Sequence, residues 1–394
     1  MNFIFISPNF PKSYYLFCAA LKNNGVRTLG IGEDSLEQLS LQCKEALDDY
    51  YQVQSLEDYN QVFKAVAFFS FKYGKIDWLE SNNEYWLSQD ARLRTDFNIQ
   101  TGVQYQDIRP YKYKSEMKKY YRDAGVVTAR YHLVTNIEDA KTFIKEVGYP
   151  VIVKPDSGVG ASTTYRLSNN SELNQFYKNL PKVQFIMEEF IDGEIISYDG
   201  ICDNESNIIY ETSHQFPNSI MDVVNEKKEI YYYSYKQIPP QLKEIGQRVL
   251  KSFNVKSRFF HCEYFRLLKD KAGIGKKGDY IALEVNMRPP GGYTPDMMNF
   301  ASDISVYQIW ADMVCYNKGL FDPDNRPYVC VYYGRRDGIE HKLSHTDILK
   351  KYKEQLCMCE RMPGILADAM GNQMYTARFD TTKKAIQFIR ALQQ

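Results

Sequence analysis

The sequence predicts a protein of mixed α/β and α+β class, built from more than one lobe. Three observations carry this reading. Strand and helix patterns alternate over residues 1 to about 107. An apolar strand bearing a lysine, Tyr149 to Pro155, runs into a loop of small residues. A later strand, Ile281 to Arg288, carries a row of polar side chains into the turn Gly291-Gly292.

Taken in order, Phe3 to Ser7 reads as a first strand and Tyr14 to Asn24 as a helix stopped by Gly25. Val26 to Ile31 is a second strand. Ser55 to Gly74 holds a helix whose apolar positions are Val62, Phe63, Val66, Ala67 and Phe69. This alternation is that of a parallel α/β sheet. The first turn, Ser7-Pro8-Asn9-Phe10-Pro11, has no glycine-rich phosphate loop, which argues against an ordinary dinucleotide site there. From residue 108 the pattern changes. A helix from Lys114 to Asp123 ends at Ala124-Gly125. A strand pair and a helix from Ile137 to Glu146 follow. The lysine strand and its loop, Asp156 to Thr163, come next, then Phe185 to Glu194. Residues 325 to 394 form a last α+β piece, with a strand from Tyr328 to Tyr333 and an amphipathic tail helix from Thr382 to Leu392.

Composition bounds the function. The 394 residues suggest two or three domains or one composite enzyme fold. With 44% hydrophobic and 25% charged residues, the chain can bury a sizeable core. Its 49 Lys and Arg balance its 49 Asp and Glu. No global basic field attracts nucleic acid or a membrane surface, so small molecules are the expected partners. The eight cysteines are scattered, and Cys357 and Cys359 lack the spacing of a zinc knuckle or redox motif. They read as reduced thiols of a cytoplasmic protein. The N-terminus lacks a basic region, and Pro8 and Pro11 interrupt its apolar stretch, so it reads as a buried strand and not as a signal peptide. No apolar run approaches a membrane span.

The chemistry concentrates near the middle of the chain. Along a strand, Glu284, Asn286 and Arg288 point the same way. Carboxylate and amide oxygens are hard ligands for Mg²⁺. A guanidinium suits a phosphate or a carboxylate. The other reading is an edge strand with a solvated face. Upstream, Arg258 to Leu268 is an aromatic-rich strand, and Lys269 to Asp279 contains Gly273, Gly275 and Gly278. That turn chemistry predicts a hairpin that sets Glu263 beside Glu284. Two facing carboxylates repel unless they share a cation. Lys154 sits in a strand of Val and Ile, which is costly unless it meets an anion. Gly158 and Gly160 allow backbone N–H groups to approach phosphates closely. A solvent-facing lysine before an ordinary turn is the alternative.

These segments occur in the order of the ATP-grasp superfamily, and the chain resembles its carboxylate–amine ligases, in particular the L-amino-acid ligase and biotin-carboxylase-like members. Lys114 stands eleven residues before Gly125, Val151 to Pro155 precedes the small-residue loop, Glu188 to Glu194 is similar to the hinge, and Glu263 with Glu284 to Arg288 is similar to the metal and phosphate end. The resemblance is clear over residues 80 to 315. It implies an ATP-grasp fold with an N-terminal α/β domain (1–107), an ATP-grasp domain (108–324) with a mobile lid (about 128–190), and a C-terminal lobe (325–394). It implies ATP and Mg²⁺, with Mn²⁺ an alternative metal.

Residue by residue, the resemblance implies that Lys114 and Lys154 contact the phosphates, together with the loop of Gly158, Gly160 and Ser162. The Glu189 and Ile191 backbone meets adenine, Glu188 assists, and Glu194 accepts the ribose hydroxyls. Glu263, Glu284 and Asn286 hold the metal, and Arg288 steadies the transferred phosphoryl group. Tyr293 lines an acyl pocket or is a core residue. The loop has fewer glycines than many relatives. The implied reaction joins a carboxylate, expected to be an amino acid, to an amine through an acyl-phosphate, and a homodimer is compatible with it. An ATP-grasp kinase and a non-catalytic ATP-binding protein are the rival readings.

Overall fold

A computed structural model describes residues 1–158, 163–217, 227–322 and 325–394. The N-terminal lobe is a parallel sheet of β1 (Asn2–Ile6), β2 (Arg27–Gly32), β3 (Asp49–Gln52) and β4 (Trp78–Glu80), in the order β3-β2-β1-β4. Both faces of β1 are covered, as its unbroken apolar run requires. Phe3 and Phe5 face one cluster, Ile4 and Ile6 another. Helices pack between the strands, among them Tyr15–Asn23, after which Gly25 takes a left-handed φ of +77°. The chain steps from β1 outward to β3, then returns to the other side of β1 for β4. Ligand crevices in open α/β sheets form at such a reversal, outside the carboxyl ends of the strands.

A four-stranded antiparallel sheet, β5-β8-β6-β7, forms a second lobe from β5 (Tyr131–Leu133), β6 (Val151–Pro155), β7 (Tyr165–Leu167) and β8 (Phe185–Glu189). The helices Ile137–Val147 and Asn170–Lys178 cover one face with Phe143, Ile144, Leu173 and Phe176. The strand pair expected before Ile137 is a single strand, β5. The residues before it have another partner: Ala282 N–H donates to Val127 O at 2.8 Å, tying the lobe's entry to the central sheet.

The central sheet has eight antiparallel strands in the order β13-β12-β9-β10-β11-β14-β16-β15. They are β9 (Gly193–Cys202), β10 (Ile208–Phe216), β11 (Ile230–Ser234), β12 (Arg258–Leu267), β13 (Tyr280–Asn286), β14 (Val329–Arg335), β15 (Leu356–Arg361) and β16 (Gln373–Phe379). The C-terminal strands extend this sheet through β11–β14 pairing and form no sheet of their own. The tail helix, Thr382–Leu392, buries Phe388 and Leu392 against it.

Two contacts lock the N-terminal lobe onto the central sheet. Trp310, on the helix Val306–Tyr316, is 1% exposed and packs edge-on against Phe3 at 5.5 Å and Phe17 at 5.0 Å. Truncating so buried a ring costs about 3–5 kcal/mol. At the end of β4, Glu80 meets Arg258 of β12 at 2.9 Å and Arg94 at 3.4 Å, all three side chains being buried. This network fixes the segment Ser81 to Glu84 above the β12–β13 hairpin. No helix among the described residues is long and apolar enough to cross a membrane.

Candidate active site

The three lobes meet around one cleft of about 480 Å³. Its floor is the β12–β13 hairpin. Register places Glu263 opposite Glu284, as the sequence pattern predicts, and also sets His261 opposite Asn286. All four line the cleft. A bulge between Glu263 and Tyr264 re-aims the edge, and Arg288 follows just beyond the strand. Each floor carboxylate has a cationic neighbour. Lys114 Nζ lies 2.9 Å from Glu284, and His261 Nε2 lies 3.4 Å from Glu263. His261 Nδ1 contacts Asp199 at 2.5 Å, and Asp199 also meets His214 at 2.8 Å. Burial alone would lower the His261 pKa, but Asp199 and Glu263 outweigh it and hold it at about 9. Burial likewise opposes ionisation of Glu263, and His261 nevertheless draws its pKa down.

The four-stranded lobe supplies the roof. Lys154, on β6, reaches Glu188 of β8 at 2.7 Å. The anion that its apolar strand demands is therefore Glu188 in this structure. Glu188 is 4% exposed, so it is no surface carboxylate, and Lys118 contacts its second oxygen. Burial pushes the Glu188 carboxyl up, but the two ammonium groups prevail and bring it to about 2. Lys118 pays in the other direction, its pKa lowered by burial. Lys114 opens the helix Lys114–Asp123, which Asp156 of the roof caps. Ser115 N–H donates to Asp156 Oδ1 at 2.8 Å and Ser115 Oγ to Oδ2 at 2.7 Å. Lys114 also donates to Gly158 O at 3.5 Å.

At the hinge, the Glu189 carboxylate turns away from Glu188 and pairs with Arg130 at 2.9 Å. Glu189 N–H donates to Arg130 O. Ile191 lines the cleft, and its N–H donates to no described backbone group. Glu194 departs from its expected role. Gly193 and Ile195 face the cleft, so strand alternation turns Glu194 to the other face, where it pairs with Arg266 at 2.5 Å. Asp192, held by Lys269 at 2.7 Å, is the carboxylate that borders the cleft at this end. Gly158 lines the cleft with a φ of +126°, while Gly160 and Ser162 lie outside the described residues. Tyr293 does not line the cleft. It is buried with Tyr232 and Met297, and its hydroxyl donates to Glu360 at 3.1 Å.

The structure thus gathers Lys114, Lys154, Gly158, Glu188, Glu189, Ile191, Glu263, Glu284, Asn286 and Arg288 on one cleft and leaves Glu194 out. It adds Glu84, His261 and the supporting Lys118 and Asp199, which the sequence reading did not single out. Two of these had a local signal. Lys118 lies one helical turn after Lys114, and His261 lies two strand positions before Glu263. Among the described residues no three His, Cys, Asp or Glu side chains form a metal-holding group. The oxygen set is two carboxylates and the Asn286 amide. That suits Mg²⁺, which takes few protein ligands and completes its shell with phosphate and water.

Residues 114–254 match the family described as the ATP-grasp domain. Residues 114–254 thus carry the likeness to an ATP-grasp domain. Over 270 residues it is 23% identical to the L-arginine-specific L-amino acid ligase of Bacillus subtilis, a match covering 66% of this chain and 63% of that protein. The chain therefore spans less than two thirds of that relative's length. The likeness to solved structures extends through the whole chain. The L-amino acid ligase structure from Bacillus licheniformis superposes with a TM-score of 0.74 at 15% identity, covering 100% of this chain and 96% of that one. The biotin carboxylase domain of the Hydrogenobacter thermophilus 2-oxoglutarate carboxylase, in complex with MgADP, ADP and bicarbonate, gives 0.71 at 14% identity, covering 99% and 89%. At these identities the likeness of the solved structures establishes a shared fold.

Proposed function

We propose that the protein is an ATP-dependent carboxylate–amine ligase that works in the cytoplasm. The observation that carries this reading is the convergence of Lys114, Lys154 and Arg288 with Glu263, Glu284 and Asn286 on one cleft of an ATP-grasp domain. Three cations suit a polyphosphate, and three hard oxygens suit its metal. Adenine lies at the hinge against the Ile191 backbone, and Lys114 and Lys154 hold the phosphates. Glu263, Glu284 and Asn286 hold Mg²⁺, which supplies neutralisation of phosphate charge when bound. A carboxylate oxygen attacks the γ-phosphorus, the bond to the β-phosphate oxygen breaks, and ADP leaves. Arg288 offsets the charge that spreads over the transferred group. An amine nitrogen then attacks the acyl carbon and phosphate departs, taking the amine's proton. The roof lobe, closing over the cleft, keeps water from the acyl-phosphate. No protein nucleophile is needed.

The test is phosphate release from ATP with single amino acids and with pairs, followed by mass spectrometry of the products. Release that requires both partners, with a condensed product, is expected. Release with one partner and a stable phosphorylated product identifies a kinase. ATP binding with no release on any partner identifies a non-catalytic protein. Glu284→Gln is the control and should abolish release while the fold is retained.

A further inference from the structure

The loop that leaves Arg288 borders the cleft at Gly291 and enters the helix Thr294–Ser302. Asp296 stands in the first turn of that helix, about 3 Å along its axis from Thr294. It is 7% exposed. Its Oδ1 accepts from the Tyr307 hydroxyl at 3.2 Å, and its Oδ2 is buried with no hydrogen-bond partner among the described residues. Burial raises the Asp296 carboxyl to about 6, while the Tyr307 hydroxyl opposes the rise and Glu360 of β15 adds to it. A buried carboxylate with spare acceptor capacity is costly unless a ligand meets it. The surroundings place that oxygen near the chemistry. Burial raises the Tyr14 hydroxyl to about 12, and the charges of Arg288 and Asp296 pull it in opposite directions. The same hydroxyl donates to Asn82 O at 3.1 Å, in the segment that sets Glu84 at 3.4 Å from Arg288. Asp296 and Arg288 are therefore both within electrostatic reach of one buried hydroxyl. The titratable groups around Asp296 are Tyr14, Tyr232, Tyr293, Tyr307, Cys330 and Glu360. Burial keeps the four tyrosines and the cysteine protonated, so none of them competes with Asp296 for a proton near neutrality.

An amine reaches the cleft as an ammonium ion, since an α-amino group titrates at about 8, and in that form its lone pair is not free to attack. A carboxylate that titrates at about 6 accepts the proton more readily than an ordinary aspartate at about 3.9. We propose that Asp296 is the general base of the second half-reaction, taking one proton from the incoming ammonium group. The neutral nitrogen then bonds to the acyl carbon as the bond from that carbon to the phosphate oxygen breaks. The second proton leaves with the phosphate, and Asp296 returns the first to solvent as the product departs. The proposal rests on the ligase reading and adds a catalytic residue to it.

Hydroxylamine separates the two half-reactions. It is a free base at neutral pH and traps an acyl-phosphate as a hydroxamate without first losing a proton. The full chain, with ATP and Mg²⁺, is given the amino-acid pair with the highest phosphate release, and each member of that pair alone with hydroxylamine. Asp296→Asn should cut amide formation at neutral pH by about 100-fold or more, the scale of general base catalysis, and keep hydroxamate formation within about 3-fold of the wild type. The wild-type rate of amide formation should be flat from about pH 6 to about pH 8, where carboxylate and ammonium coexist. The variant's rate should climb about tenfold per pH unit over that range, as free amine accumulates. Equal losses of amide and hydroxamate would mean that Asp296 only shapes the site, and would overturn the proposal. So would a folded variant with unchanged amide formation. A wild-type rate that climbs with pH over the same range overturns it even if the variant does not fold. Wild-type protein that forms neither hydroxamate nor amide defeats the ligase reading, and the proposal with it.

Discussion

Glu188 offers the sharpest test of the electrostatic reasoning. It lies 4% exposed between Lys154, at 2.7 Å, and Lys118. Glu188→Gln keeps the shape and removes the charge, leaving two ammonium groups facing each other away from water. Breaking a buried ion pair from one side costs about 3–5 kcal/mol. The lowered carboxyl pKa gives a second figure for the same pairs. A carboxyl carried from its ordinary 4.5 to about 2 contributes about 3 kcal/mol at neutral pH. Because the folded pKa is the lower one, that stability is present above pH 4.5 and drains away as pH falls toward 2. Urea unfolding of both proteins, across several pH values, reads the difference. It should be about 3 kcal/mol and flat from pH 7 to 5, then shrink as the medium becomes more acid. Equal midpoints at pH 7 would refute the reasoning. So would a difference that stayed constant down to pH 3 while both proteins remained folded.

Lys154→Ala should weaken ATP binding by about 1.5–3 kcal/mol in calorimetry, while Glu188 keeps Lys118 as partner and the fold survives. Arg288→Lys keeps the charge but loses the planar fork, so kcat for phosphate release should fall by at least about 100-fold with ATP affinity little changed. A loss wholly in ATP affinity would count against that role. Glu194→Gln should leave ATP affinity within about 0.5 kcal/mol, since its carboxylate pairs with Arg266 outside the cleft. A larger loss would mean that Glu194 reaches the ribose after all.

Much of this site is legible in the sequence because its signals are local. Alternation and a glycine-rich turn are enough to put Glu263 across from Glu284, and the register agrees. The helix Lys114–Asp123 and the tail helix Thr382–Leu392 have the expected ends, since cap and period agree there. Parity decides the failure at Glu194. Spacing within a motif says that a carboxylate is near the hinge, but only the strand's exact start fixes which face it takes. Glu84 was beyond reach for another reason. It lies some two hundred residues from Arg288 in the chain and meets it only because the Glu80–Arg258 network joins two lobes. Lys118 reads on paper as one more charge on a solvated helix, and only the burial of its partner reveals the pair.

The unbroken central sheet bears on how this protein can be dissected. A cut near residue 325 looks natural by composition, yet it falls between two hydrogen-bonded neighbours, β11 and β14. Cleavage there would strip the partner from Ile230 to Tyr233 and uncover the stacked rings of Tyr231 and Tyr232. The remnant would present a fresh, aromatic, unpaired edge to any other chain in solution. Trimming the C-terminus to make a smaller fragment would thus trade a paired edge for a sticky one, and permutation or internal loop deletion is the sounder route to a smaller version.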